Sequence, residues 1–196
     1  MKLWTIQPYS VWEFARQHGS VRVDRARCTG GDKIPPSYLW LREQLKSRIE
    51  GYEGGFPWWL YCSKPDLRLH RHGRLPGGQH QVRLELKLCP ARVKVFRIWA
   101  WDRVFCGQYL GTRRQEREWS KRRRTSDIDP DLRDWELDGA WRSELESSWE
   151  RLFTQLPTRL NAFGKPGGSE AVLEVVRRDD IVKVDEFFTT YSASST

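Results

Sequence analysis

The chain has 196 residues, of which 38% are hydrophobic and 13% aromatic, and it carries a net charge of +8. That length suits one buried core, or one domain with an appended element, rather than a string of domains. No apolar run approaches the roughly 18 residues of a membrane helix, and the first residues lack the charged-then-apolar pattern of a secretory leader, so both classes are set aside.

In chain order, Leu3-Trp4-Thr5-Ile6-Gln7 alternates and is rich in β-formers, predicting a strand that Pro8 ends. Ser10-x-x-Glu13 reads as a capping box opening a short helix, and Gly19 as its C-terminal glycine. Val21-Arg22-Val23 restarts an extended run. In this strand–helix–strand unit, Thr5 and Gln7 are expected on one face of the first strand while the helix covers the other. Ser37 is expected to cap a second helix with Tyr38, Leu41, Leu45 and Ile49 on its apolar face. Phe56 to Tyr61 reads as a strand buried on both faces. Val82, Leu84, Leu86 and Leu88 alternate with Arg83, Glu85 and Lys87, the clearest half-buried strand in the sequence. Pro90 ends it, Val93 to Phe96 form another, and Trp99 to Phe105 form a short helix. Residues 113–124 hold seven basic and two acidic side chains, a net +5. Trp141, Leu145, Trp149, Leu152, Phe153 and Leu156 recur at helical spacing. A glycine-rich loop at 164–168 leads into a strand from Ala171 to Val176, Asp179-Asp180 make a turn, and Ile181 to Phe188 form the last strand. Helices gather early and late with paired strands between. The pattern predicts an α+β fold with split mixed or antiparallel sheets and flanking helices, in one domain over 1–188. A basic insertion falls at about 111–130, and 189–196 read as a frayed tail.

The four cysteines are scattered with no Cys-x-x-Cys, which points to reduced thiols and a cytoplasmic protein rather than disulfides. His70-x-His72 and His80 lack an acidic or thiol ligand at useful spacing, so no metal is expected. Nucleophile-elbow, Walker and Rossmann patterns are absent as well. The excess positive charge favours a polyanionic partner, with an ordinary basic protein as the plain alternative. Within the basic run, Arg113, Arg114, Arg117, Lys121, Arg122, Arg123 and Arg124 interleave with Trp119. That pattern suits phosphate contact with a stacked base, and equally a solvated helical face. Lys64 and Arg68 follow the aromatic strand of Trp58, Trp59 and Tyr61. They suit a pyrophosphate beside a stacked ring, and equally surface charge above core aromatics. Glu170 and Glu174, four apart in a strand, are expected on one face behind the glycine-rich loop as candidate catalytic carboxylates.

Leu3-Trp4-Thr5-Ile6-Gln7, Val11-Trp12-Glu13, Gly19, Asp24, Lys64-Pro65-Asp66-Leu67-Arg68, Leu75-Pro76-x-Gly78 and Arg83-Leu84-Glu85-Leu86 resemble an uncharacterised family of small bacterial and phage proteins. The order of pieces also resembles the ADP-ribosyltransferase superfamily, particularly its branch acting on nucleic acids. That likeness implies an ADP-ribosyltransferase-like fold with NAD as substrate. It also implies a polyanionic target, nucleic acid foremost, and a role as a toxin or phage-defence effector with a protein antitoxin or inhibitor as partner. By the same likeness, Trp4, Thr5, Gln7, Trp59, Tyr61, Lys64 and Arg68 would bind NAD. Glu170, with Glu174 near it, would be catalytic. The chain departs from that pattern in offering Thr5 where many members have His or Arg, and in having only Ser169-Glu170 as a remnant of the usual glutamate signature. A non-catalytic RNA- or DNA-binding module with an aromatic, basic cleft is the competing reading.

Overall fold

The computed structural model describes residues 1–23, 34–68, 78–129, 136–154 and 168–190. The chain divides into two compact units, one of Met1–Gly30, Leu45–Lys94 and Glu170–Thr196, the other of Gly31–Gln44 and Val95–Ser169. The basic segment at 113–124 falls in the second unit.

The first unit opens with β1 (Lys2–Pro8), followed directly by α1 (Tyr9–His18) and β2 (Ser20–Arg22). It continues with β3 (Trp58–Tyr61) and β4 (His80–Lys87). Beyond β5 (Lys94–Arg97), where the chain leaves this unit, come β6 (Ser169–Leu173), β7 (Val175–Arg177) and β8 (Ile181–Phe188). The fold is α+β, with a mostly antiparallel six-stranded sheet, a two-stranded sheet and flanking helices. Five strands of the large sheet lie in the first unit in the order β6-β3-β1-β4-β8, and β2 pairs with β7.

One face of that sheet is the core. Leu3, Trp58, Leu60, Val82, Leu84, Leu86, Ala171 and Leu173 are all buried on it, with Val11 and Trp12 of α1 packed against them. Each fully buried Leu or Val contributes roughly 1.5–3 kcal/mol, so this alternation sets the register of all five strands. Gly19 ends α1 in the left-handed conformation at φ 78°, as the sequence predicts, and its N–H donates to the Ala15 carbonyl. The Ser10–Glu13 capping box does not form: Pro8 occupies the N-cap with no side-chain cap, because the helix starts at Tyr9 straight out of β1. β3 alternates between buried and half-buried residues and is not buried on both faces.

The second unit contains α2 (Pro36–Lys46, its residues to Gln44), α3 (Ile98–Phe105), α4 (Arg113–Arg124) and α5 (Gly139–Trp149), with a 3-10 turn over Glu150–Phe153. Its core is aromatic. Trp149, fully buried, meets Trp40 edge-on at 5.3 Å, and Phe153 lies between Trp40 and Phe96. Ser37 is not a cap: it sits inside α2 and donates to the Phe105 carbonyl. Thr112 caps α4 in a full capping box with Gln115. Leu156, His70, His72 and Gly164 to Gly167 lie outside the described residues.

Candidate functional site

The antiparallel register lays out a row of side chains across the first unit. Tyr61 on β3 is paired directly with Glu170 on β6 on one side and with Trp4 on β1 on the other. Trp4 in turn faces Glu85 on β4, and Glu85 faces Lys183 on β8. Directly opposed residues of antiparallel strands project from the same face. Glu170, Tyr61, Trp4, Glu85 and Lys183 therefore line one face, the one turned away from the Leu/Val core. Strands stand about 4.8 Å apart, so Trp4 and Glu170 bracket Tyr61 across roughly 10 Å. Glu170, Tyr61, Trp4 and Glu85 are each half-buried. Alternation puts Trp59 on this face as well, opposite Val172.

The row is electrostatically organised. Burial first, and then the Glu170 carboxylate, push the Tyr61 phenol above its usual 10.0. The same two causes, in the same order, raise the Cys62 thiol. Tyr61 is thus a neutral hydroxyl at physiological pH. At the other end, Lys2 pairs with Glu85 at 3.0 Å and the Trp4 indole N–H donates to Glu85 at 3.3 Å. The Lys2 hydrogen bond holds the Glu85 carboxyl below its ordinary range, with Trp4 and the nearby positive charge of Lys64 acting in the same direction. Exposed Arg68 is occupied by Asp66, whose carboxyl its hydrogen bonds lower to about 2.

Three expectations are corrected. Thr5 and Gln7 project onto the core face, opposite Trp4, because alternation places them with Leu3. Thr5 is 1% exposed, and the Gln7 amide donates to its hydroxyl at 2.8 Å. They lie on the face that α1 covers and do not share a surface with Tyr61 and Glu170.

Glu174 does not share a strand face with Glu170. The run from Ala171 to Val176 breaks at Glu174, where the chain leaves β6 and enters β7 in the other sheet. Glu174 is 4% exposed, and its carboxylate accepts the N–H groups of Glu53 (2.8 Å) and Gly55 (2.5 Å) while pairing with Arg22 at 3.2 Å. A Cβ at Gly55 would come within 2.7 Å of that carboxylate. Glu174 is a structural clamp.

In the second unit, Trp119 is 3% exposed, stacked on Tyr109 at 4.8 Å and meeting Trp141 edge-on at 5.0 Å. It is core and offers no ring to a base. Arg114 pairs with Glu118, Arg122 pairs with Glu144 and stands over the Trp119 and Trp141 rings, and Arg123 is half-buried. Arg113, Arg117, Lys121 and Arg124 remain exposed.

Glu85, Lys2 and Lys183 also belong to the row, and no local pattern in the sequence singles them out. The Arg83/Glu85/Lys87 alternation marked a polar face. Only the pairing with Trp4, some eighty residues away, makes that face continuous with Tyr61 and Glu170. His80 is stacked between Tyr9 (4.1 Å) and Phe188 (4.5 Å) and contacts Glu186, a packing role. Cys62, Cys89 and Cys106 are free thiols. Among the described residues, no helix is long and apolar enough to cross a membrane, and no three His, Cys, Asp or Glu side chains gather as a metal site.

An α+β sheet protein with one apolar and one polar, aromatic face is the class this architecture defines. Residues 2–181 match the family described as domain of unknown function DUF3841, and the chain belongs to that family. No curated protein and no solved structure matches the chain.

Proposed function

We propose that this protein is an ADP-ribosyltransferase-like enzyme that cleaves NAD and transfers ADP-ribose to a polyanionic target, nucleic acid foremost. The observation that carries the reading is the cross-strand row Glu170–Tyr61–Trp4, in which the opening strand, the aromatic strand and the late glutamate meet on one face.

In this reading the bond between the nicotinamide nitrogen and the ribose C1′ breaks. Its electron pair stays with nicotinamide, which leaves neutral, and positive charge develops on the ribose ring. Glu170 accepts a hydrogen bond from a ribose hydroxyl and stabilises that charge as it forms, the stage at which binding energy accelerates a reaction. Tyr61, held neutral, donates a hydrogen bond and packs a flat ring with Trp4 or Trp59. An acceptor nucleophile or water then adds at C1′ and gives up a proton. Glu174, Thr5 and Gln7 take no part. Lys64, on the exposed side near Glu85, is the cation available to the pyrophosphate, while Arg68 is shared with Asp66.

The test is incubation with NAD labelled in its adenylate part and RNA, DNA or protein as acceptor. Wild-type protein is expected to transfer label or release nicotinamide, and Glu170→Gln to lose about 10²–10³-fold of that rate with the fold intact. No turnover by wild type on any acceptor, or equal turnover by Glu170→Gln, overturns the proposal. A non-catalytic nucleic-acid module is the second reading, favoured by the four exposed cations of α4.

A further inference from the structure

We infer that α4 is a docking surface for the phosphodiester backbone of nucleic acid. It works through a single stripe of four cations and without any base stacking. The inference takes the class of acceptor from the reading above but concerns a different part of the chain, and its test contains no NAD.

The sequence run looks uniformly basic, yet the fold divides it. At 100° per residue, Trp119, Glu116 and Arg123 fall on one side of the helix, and they are the three residues of α4 that are buried or half-buried. Arg114 and Arg122 are matched with Glu118 and Glu144. Arg113, Arg117, Lys121 and Arg124 are left, at positions i, i+4, i+8 and i+11, within an arc of about 80° whose centre lies about 130° around the helix from the buried side. All four are exposed, and among the described residues none makes an ion pair.

Helix stability does not account for them. The last-turn cations Lys121 and Arg124 favour the negative end of the helix dipole, but Arg113 occupies the first helical position, where a positive charge opposes the dipole. Four like charges along one side also repel one another. A partner that brings negative charge in a line removes both costs. At a rise of about 1.5 Å per residue the stripe is roughly 16 Å long with steps of about 6 Å, a spacing that suits successive phosphates.

With Trp119 turned inward, the surface has no aromatic platform of the kind that holds single-stranded bases. Contact is therefore to the backbone, which positions a nucleic acid without reading its sequence. An acidic protein would need carboxylates at matching intervals, whereas phosphates supply the repeat by construction.

The experiment is fluorescence anisotropy with a labelled duplex of about 20 base pairs, titrated between roughly 50 and 200 mM KCl. Four phosphate contacts predict a slope of log K against log[KCl] of about −3.6 from this stripe. Arg117→Gln with Lys121→Gln is expected to weaken binding and flatten the slope by about 1.8. Arg113→Gln with Arg124→Gln should do the same. Removing the exposed charges Arg16 and Lys87 by the same substitution is expected to leave the slope unchanged. Duplexes of unrelated sequence should bind alike.

An unaltered slope in both stripe variants overturns the inference. So does displacement of the duplex by polyglutamate at equal charge, which would make the partner an acidic protein. A preference above about tenfold for one sequence removes the backbone-only mode. Failure here leaves NAD cleavage by Glu170 untouched, and loss of NAD cleavage in Glu170→Gln leaves this binding untouched.

Discussion

At the scale of single residues, Tyr61 and Glu170 are the informative pair. The Tyr61 phenol reports on its neighbour, since the Glu170 carboxylate adds to burial in raising it above 10.0. Ultraviolet titration, with Tyr61→Phe used to assign the signal, is expected to place Tyr61 above its ordinary value. Glu170→Gln should lower it part of the way, because burial, the larger cause, remains. A group whose native pKa is raised contributes stability that is present below its unfolded value and lost as pH rises through the native one. Tyr61 therefore contributes to alkaline sensitivity above about pH 10, and Tyr61→Phe should reduce it. A Tyr61 titration unmoved by Glu170→Gln would separate the two side chains and contradict the row. The sequence marks both residues but not their meeting: Glu170 and Tyr61 stand 109 positions apart, and nothing local encodes their register.

At the scale of elements, periodicity reveals most of the strands and misses where they change sheets. The alternation of β4 and the end of α1 at Gly19 are legible because burial and backbone conformation act locally there. The run from Ala171 to Val176 reads as one strand, since nothing in its apolar pattern signals the transfer between sheets. That transfer depends on a loop more than a hundred residues earlier, whose Glu53 and Gly55 N–H groups hold Glu174. Its stability consequence follows directly. Glu174→Ala leaves the Glu53 and Gly55 N–H groups without their acceptor and removes one of the two carboxylates that pair with Arg22, Glu53 being the other, and should cost about 2 kcal/mol or more in denaturant unfolding. A loss well below that would contradict the role of Glu174 as a clamp. The basic run teaches the same lesson at α4: composition shows seven cations and a tryptophan, while packing decides that the tryptophan is core and only four cations point away unpaired.

At the scale of the whole molecule, charge ties the polar sheet face together. Arg83, 9% exposed, pairs with Asp185 at 2.7 Å and also donates to the Pro65 carbonyl at 2.7 Å. The Arg83 guanidinium holds the Asp185 carboxyl below its ordinary 3.8, and Lys2 does the same for Glu85. A carboxylate with a depressed native pKa contributes stability that is fully present above its unfolded value and lost as pH falls through the native one. Stability should accordingly fall as pH drops below about 4, and Asp185→Asn should flatten that dependence in denaturant melts across the acid range. A variant with the wild-type acid profile would show that the pair does not link protons to folding.

Glu170 is the residue on which the proposed chemistry turns. The most direct measurement is the rate of nicotinamide release from NAD, per folded molecule, for wild type, Glu170→Gln and Glu174→Gln. The predicted result is release by wild type, a loss of about 10²–10³-fold in Glu170→Gln, and a rate near wild type in Glu174→Gln under conditions that keep it folded. Release by Glu170→Gln at the wild-type rate, or none by any of the three, would contradict it.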